Sequence, residues 1–108
     1  ILVFPTKIHI LLIKKRKNVV TFDEKLIGLS DGSIFSKVDL QYKIPLDYMV
    51  VYGRRKQTLS YILNVYRFDY LIIDGSVPSY LATKMMDEAD ALGINYHNIR
   101  EDGAFIIE

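Results

Sequence analysis

The sequence predicts an α/β fold, a small two- or three-layer βαβαβ parallel core with a C-terminal antiparallel hairpin at its edge and β-hairpins ahead of it. Three observations carry that expectation. Residues 48–52 and 70–73 are short, unbroken apolar runs, the pattern of strands covered on both faces. Apolar residues recur at helical spacing after each run, at Leu59, Ile62, Leu63 and Tyr66 and again at Leu81, Met85, Ala89 and Leu92. Strand, helix, strand, helix, strand in that order implies right-handed crossovers onto a parallel sheet.

In the first half, the apolar run 1–4 is stopped by Pro5. Residues 7–13 and 18–22 read as two strands of a hairpin whose tip is Lys14-Lys15-Arg16-Lys17, with Asn18 suited to a tight turn. Asp31-Gly32 is a further turn, and Ile34-Phe35 and residues 38–42 read as short strands of uncertain type. In the second half, Gly53 ends the strand 48–52, and Thr58 is placed to cap a helix of about three turns. Asp74-Gly75-Ser76-Val77-Pro78 is the turn after strand 70–73, with Ser76 as N-cap and Pro78 in the first helical turn. Gly93 closes the second helix as a left-handed cap, and Ile94 packs back. Residues 94–99 are then a strand. The turn Arg100-Glu101-Asp102-Gly103 sends 104–107 back antiparallel to it.

Composition narrows the function classes. A chain of 108 residues, half of them hydrophobic, is one domain, with residues 1–45 as a hairpin half and 46–108 as a βαβαββ half. Both ends fall in apolar runs, so it reads as a fragment cut out of something longer. A net charge of +1 gives no global attraction to nucleic acid or membrane. The absence of cysteine removes disulfides, thiolate zinc sites and thiol catalysis. No apolar run approaches the ~20 residues of a membrane span, and no stretch shows a signal-peptide pattern.

Six residues are candidates for anion or DNA binding: Arg54, Arg55 and Lys56 after one strand, and Asp74, Gly75 and Ser76 after the next. Ligands of open α/β sheets gather beyond the carboxyl ends of strands, where free N–H groups favour anions. The plainer readings are that Asp74 and Ser76 cap a helix and that Arg54 to Lys56 are a solvated loop, and both are favoured on frequency. Lys14 to Lys17 suit the phosphates of nucleic acid or lipid head groups, but keeping a strand edge from aggregating is the favoured reading. His9 and His97 are far apart in sequence, and with only Glu101 four residues beyond His97 they fall short of the three or four ligands of a metal site. Tyr48, Tyr52, Tyr66, Tyr70 and Tyr96 read as half-buried packing residues rather than a base-stacking platform. No phosphate-binding glycine loop and no nucleophile motif is present.

Val51-Tyr52-Gly53-Arg54-Arg55-Lys56-Gln57-Thr58, Tyr70 to Gly75, Val77-Pro78, Leu92-Gly93-Ile94 and Glu101-Asp102-Gly103-Ala104-Phe105 stand in that order. Together they resemble the end of the metallo-β-lactamase-like domain at the C terminus of ComEC competence proteins, the inner-membrane channels of DNA uptake in natural transformation. The family pattern is a strand, G-H-H-G-S-K-T, a helix, a Y-A-[LI]-I-S-V-G strand, a Y-G-H-P turn, a helix ending L-G-[IV], and Y-R-T-D-x-x-G-A-[IV]. The resemblance implies a soluble domain of an inner-membrane protein, on a side of the membrane left open. Its implied partners are single-stranded DNA and other parts of the same protein, with no small-molecule substrate.

The departures matter as much. Arg54 or Arg55 stands where the family has a metal-binding His, Val77 stands for the His before the Pro, and the H-x-H-x-D-H half is absent. Asp23 alone remains as a carboxylate at a family ligand position. Neither guanidinium nor isopropyl replaces an imidazole on zinc. The expectation is therefore a non-catalytic domain without cofactor, serving assembly or weak DNA contact. Two alternatives are a free-standing small-ligand or anion-binding α/β domain and a residual hydrolase completed by another segment.

Overall fold

A computed structural model describes residues 2–4, 19–22, 24–33 and 41–107. The centre is a five-stranded sheet in the order β2-β3-β5-β7-β8, built from Val19–Phe22, Lys25–Ser30, Tyr48–Val51, Tyr70–Ile73 and Asn95–Asn98. β2 and β3 form an antiparallel hairpin, and β3, β5, β7 and β8 run parallel. The expected α/β class and parallel core are present. The short helix α1 (Leu59–Leu63) and the long helix α2 (Ser79–Leu92) are the crossovers, and α3 (Ile99–Asp102) follows β8.

The period of two along a strand decides which side chain faces which layer. Met49 and Val51 of β5 and Leu71 and Ile73 of β7 pack into one core with Leu59, Ile62, Leu81, Met85 and Ala89 of the helices. Val50 and Ile72 face the other way, into a second cluster with Val20, Ile27 and Leu29. Each fully buried aliphatic side chain is worth ~1.5–3 kcal/mol relative to exposure. Both faces are thus apolar, as the unbroken runs require. On the second face Phe105 lies against Tyr48 and Tyr70, with ring centroids 5.6 and 5.3 Å away. The five strand-associated tyrosines are buried or half-buried, in line with their reading as packing residues.

The structure corrects several element assignments. β3 is a strand that the sequence conceals: Gly28 interrupts its apolar pattern, yet a Cβ there would stand 2.5 Å from Leu46 Cδ1 and 2.8 Å from Met49 Cε. The glycine is what lets the core side chains close over the strand. The first helix is shorter than its stripe. It ends after Leu63, and Tyr66 belongs instead to a two-residue strand, β6 (Tyr66–Arg67), paired in parallel with β4 (Ile44–Pro45). Tyr66 is buried all the same, because helix and strand both deliver it to the same core. Thr58 precedes α1 but makes no side-chain capping bond.

The second helix starts from Pro78 as its N-cap, so Ser76 does not cap it. Its close is as expected: Gly93 is left-handed at φ 73°, and the Ile94 amide donates to the Ala89 carbonyl at 2.9 Å. Leu92, assigned to the buried face, is 55 % exposed.

The expected hairpin between 94–99 and 104–107 does not form. Asn98 caps the helical turn α3, accepting the Arg100 amide at 3.2 Å, and this turn redirects the chain. The last strand, β9 (Phe105–Ile107), then pairs antiparallel with β1 (Leu2–Phe4). Gly103 does take the positive φ assigned to it, at 88°.

Gln41 and Tyr42 are a bend rather than the end of a strand. Strand 7–13, the tip Lys14 to Lys17, His9, Asp23, Ile34-Phe35 and residues 38–40 lie outside the described residues. β2 pairs with β3, its hairpin partner among those described.

Candidate functional site

Because β3, β5, β7 and β8 are parallel, the turns that follow them share one edge of the sheet. Along it stand Asp31-Gly32-Ser33, Gly53 to Lys56, Asp74-Gly75-Ser76 and the helical turn carrying Arg100. All six residues singled out from the sequence are therefore on the same edge.

Two contacts fix the basic loop at its ends. The Gly53 amide donates to Ser76 Oγ at 2.8 Å. The same hydroxyl donates to Asp74 Oδ2 at 2.6 Å, and that oxygen also accepts the Ser76 amide at 3.1 Å. At the other end Gln57 is buried. Its Oε1 accepts the Ser30 hydroxyl at 2.7 Å, and its Nε2 donates to the carbonyls of Ser30 and Tyr52, each at 3.1 Å. Arg54, Arg55 and Lys56 are the exposed residues between these two anchors. A tightly bridged turn so short needs residues that tolerate it, and Gly53 sits at φ 87°.

Asp74 and Ser76 thus act together, but as a brace rather than as free ligand groups. The Gly53 N–H, which would otherwise be an anion donor, is already taken. Arg55 turns toward β3: its side chain lies over Gly32, where an added Cβ would meet Arg55 Cβ at 2.8 Å. The Ser33 hydroxyl foremost, then the backbone amides and the Arg55 charge, holds the Asp31 carboxyl below its ordinary 3.8, against a partial burial that pushes it up. Burial, and then the Asp31 charge, pushes the Tyr52 hydroxyl above its ordinary 10.0.

Sequence reasoning missed two members of this edge. Gln57 gives no signal in a charged stretch, since its value lies wholly in partners 5 and 27 residues away. In the sequence Arg100 is only the first residue of a turn. Its Nη2 donates to the Gly75 carbonyl at 2.6 Å and the Val77 carbonyl at 3.0 Å, tying α3 to the β7–α2 turn. The turn chemistry of Arg100 to Gly103 conceals that reach.

The metal implied by the resemblance does not fit these residues. Val77 is 3 % exposed and belongs to the apolar core, so its position looks inward. Arg54 and Arg55 carry positive charge at the other position. Among the described residues no group of three or more His, Cys, Asp or Glu is placed to hold a metal ion. His97 is engaged elsewhere, its Nε2 donating to the Gly103 carbonyl at 2.8 Å while its ring meets Phe105 edge-on.

Fold and edge define an α/β domain with a braced, cationic loop beyond the carboxyl ends of parallel strands. The chain belongs to the ComEC C-terminal domain family, whose model matches residues 3–108. The family is one of membrane-associated competence proteins of DNA uptake. No helix among the described residues is long and apolar enough to cross a membrane. Searches among curated proteins and among solved structures returned no match.

Proposed function

We propose that this chain is a non-catalytic domain of a ComEC-like DNA-uptake protein that contacts single-stranded DNA weakly through its phosphates. The observation that carries the reading is the loop Arg54-Arg55-Lys56, held out between Gly53, bound to Ser76, and Gln57, bound to Ser30 and Tyr52. Three cations on a preorganised loop lose little freedom on meeting a polyanion, and guanidinium groups match phosphate geometry. The absence of catalysis is supported by the chemistry of the edge. The Ser76 hydroxyl is bound directly to a carboxylate without an intervening imidazole, and the positions implied for metal carry Arg and Val.

Fluorescence anisotropy with a labelled single-stranded oligonucleotide tests this. Binding should weaken steeply as salt rises, with a slope of about 0.7 per phosphate contacted, and should drop in an Arg54→Ala/Arg55→Ala variant. Affinity unchanged in that variant would remove the loop from the reading. Cleavage of the oligonucleotide by the purified chain with zinc or manganese would remove the non-catalytic part.

A further inference from the structure

Tyr80 is 73 % exposed on the first turn of α2. Among the described residues the other exposed large apolar side chains lie elsewhere. Tyr42 precedes β4 and Ile44 begins it, at the amino side of β5. Leu92 ends α2, and Leu26 is in β3. Tyr80 follows directly on the β7–α2 turn, so it belongs to the carboxyl edge. Helical side chains lean back toward the N terminus of their helix, which brings the Tyr80 ring over that edge.

Two tethers join the turn before Tyr80 to the cations of this edge. Arg100 holds the carbonyls of Gly75 and Val77, the latter three residues before Tyr80. Ser76, four residues before Tyr80, holds Gly53 and hence the start of the Arg54–Lys56 loop. An exposed aromatic ring at the edge that carries Arg54, Arg55 and Arg100 suits a nucleobase attached to a phosphate chain: the ring takes the π-face and the cations take the backbone.

We infer that Tyr80 is a base-stacking residue that adds contact with an unpaired base to the phosphate contacts of this edge. The inference rests on the reading that the basic loop meets phosphates. Paired bases have both faces occupied by neighbouring bases, so a duplex offers Tyr80 nothing, whereas an unpaired base of any identity is available to it.

The test compares a thymidine oligonucleotide with an abasic oligonucleotide of equal length, which carries the phosphates without the bases. The full chain should bind the thymidine strand more tightly than the abasic one. Tyr80→Ala should lower affinity for the thymidine strand by a factor of about five or more, leave the abasic strand unchanged, and be rescued by Tyr80→Phe. The chain contains no tryptophan, so Tyr80→Trp supplies a single indole, excited apart from the tyrosines, that the thymidine strand should quench and the abasic strand should not. Equal binding of the thymidine strand by wild type and Tyr80→Ala overturns the stacking role alone. Failure of the wild-type chain to bind either strand overturns the loop reading with it.

Discussion

The hydroxyl of Ser76 receives the amide proton of Gly53 at 2.8 Å while giving its own proton to Asp74 at 2.6 Å. One side chain thereby joins the turns after two neighbouring strands. Ser76→Ala leaves the Gly53 N–H without that acceptor and should cost about 1 kcal/mol, since the site is open to water that partly replaces the bond. Ser76→Thr keeps the hydroxyl and should restore most of it. Urea unfolding measures the cost, and faster hydrogen exchange at the Gly53 amide in the alanine variant locates it.

Gln57 should matter more. It is buried, and its amide serves the Ser30 hydroxyl and two carbonyls. Gln57→Ala strands a buried hydroxyl and removes the donor to both carbonyls, for a loss of about 3 kcal/mol. Ser30→Ala removes one partner and should cost less. A double-mutant cycle between the two should give a coupling of about 1 kcal/mol. Additive effects would show that the pair is not a unit.

Gly32 stands at φ 99° with the Arg55 stem pressed against it. Gly32→Ala combines an unfavourable backbone conformation with a contact that Arg55 must vacate. A destabilisation of about 1–3 kcal/mol follows from the backbone conformation. Because Arg55 is displaced, the same variant should also weaken oligonucleotide binding at low salt; intact binding would mean that the loop's cations act independently of how Arg55 is seated.

Val77→His tests the geometry of the family's metal position. The side chain there is buried among apolar groups, so an imidazole would be desolvated rather than offered to a metal. The variant should lose about 2 kcal/mol or more of stability and should take up no zinc by elemental analysis after dialysis. Zinc retained in stoichiometric amount would show that the edge can open to expose this residue.

The pH dependence has a definite sign at each end. Burial pushes the Tyr66 hydroxyl above 10.0, so on raising the pH the unfolded phenol loses its proton first. Stability from this group is whole below the unfolded value and is lost as pH rises through the folded one; Tyr66→Phe should flatten that alkaline decline. Asp31 runs the other way. Its folded value lies below 3.8, so its contribution is present above the unfolded value and lost as pH falls through the folded one. Asp31 is largely solvated, so the acid effect should be the smaller, and Asp31→Asn should abolish it in urea titrations at several pH values.

Much of the core was legible. Val50 and Ile72 sit on the opposite face from Met49, Val51, Leu71 and Ile73 because strand geometry alternates, and uninterrupted apolar runs announce two covered faces. Gly93 was legible because a helix end needs a residue that tolerates positive φ. The candidate edge was legible as a place, since turns after parallel strands share one side. Its wiring was not. Ser76 looked like a cap, and Gln57 looked like part of a charged loop.

By itself the sequence determined that the apolar runs at β5 and β7 are buried strands, where the long helix stops and which residues crowd the carboxyl edge, because these follow from periodicity and local backbone preference. Only the tertiary structure decided that β9 pairs with β1, that Tyr66 leaves its helix for a strand, and that Ser76 braces Gly53. The physical reason is that a hydrogen bond between groups 23 residues apart depends on which strands become neighbours. A single N–H or hydroxyl carries no mark of the partner it will meet.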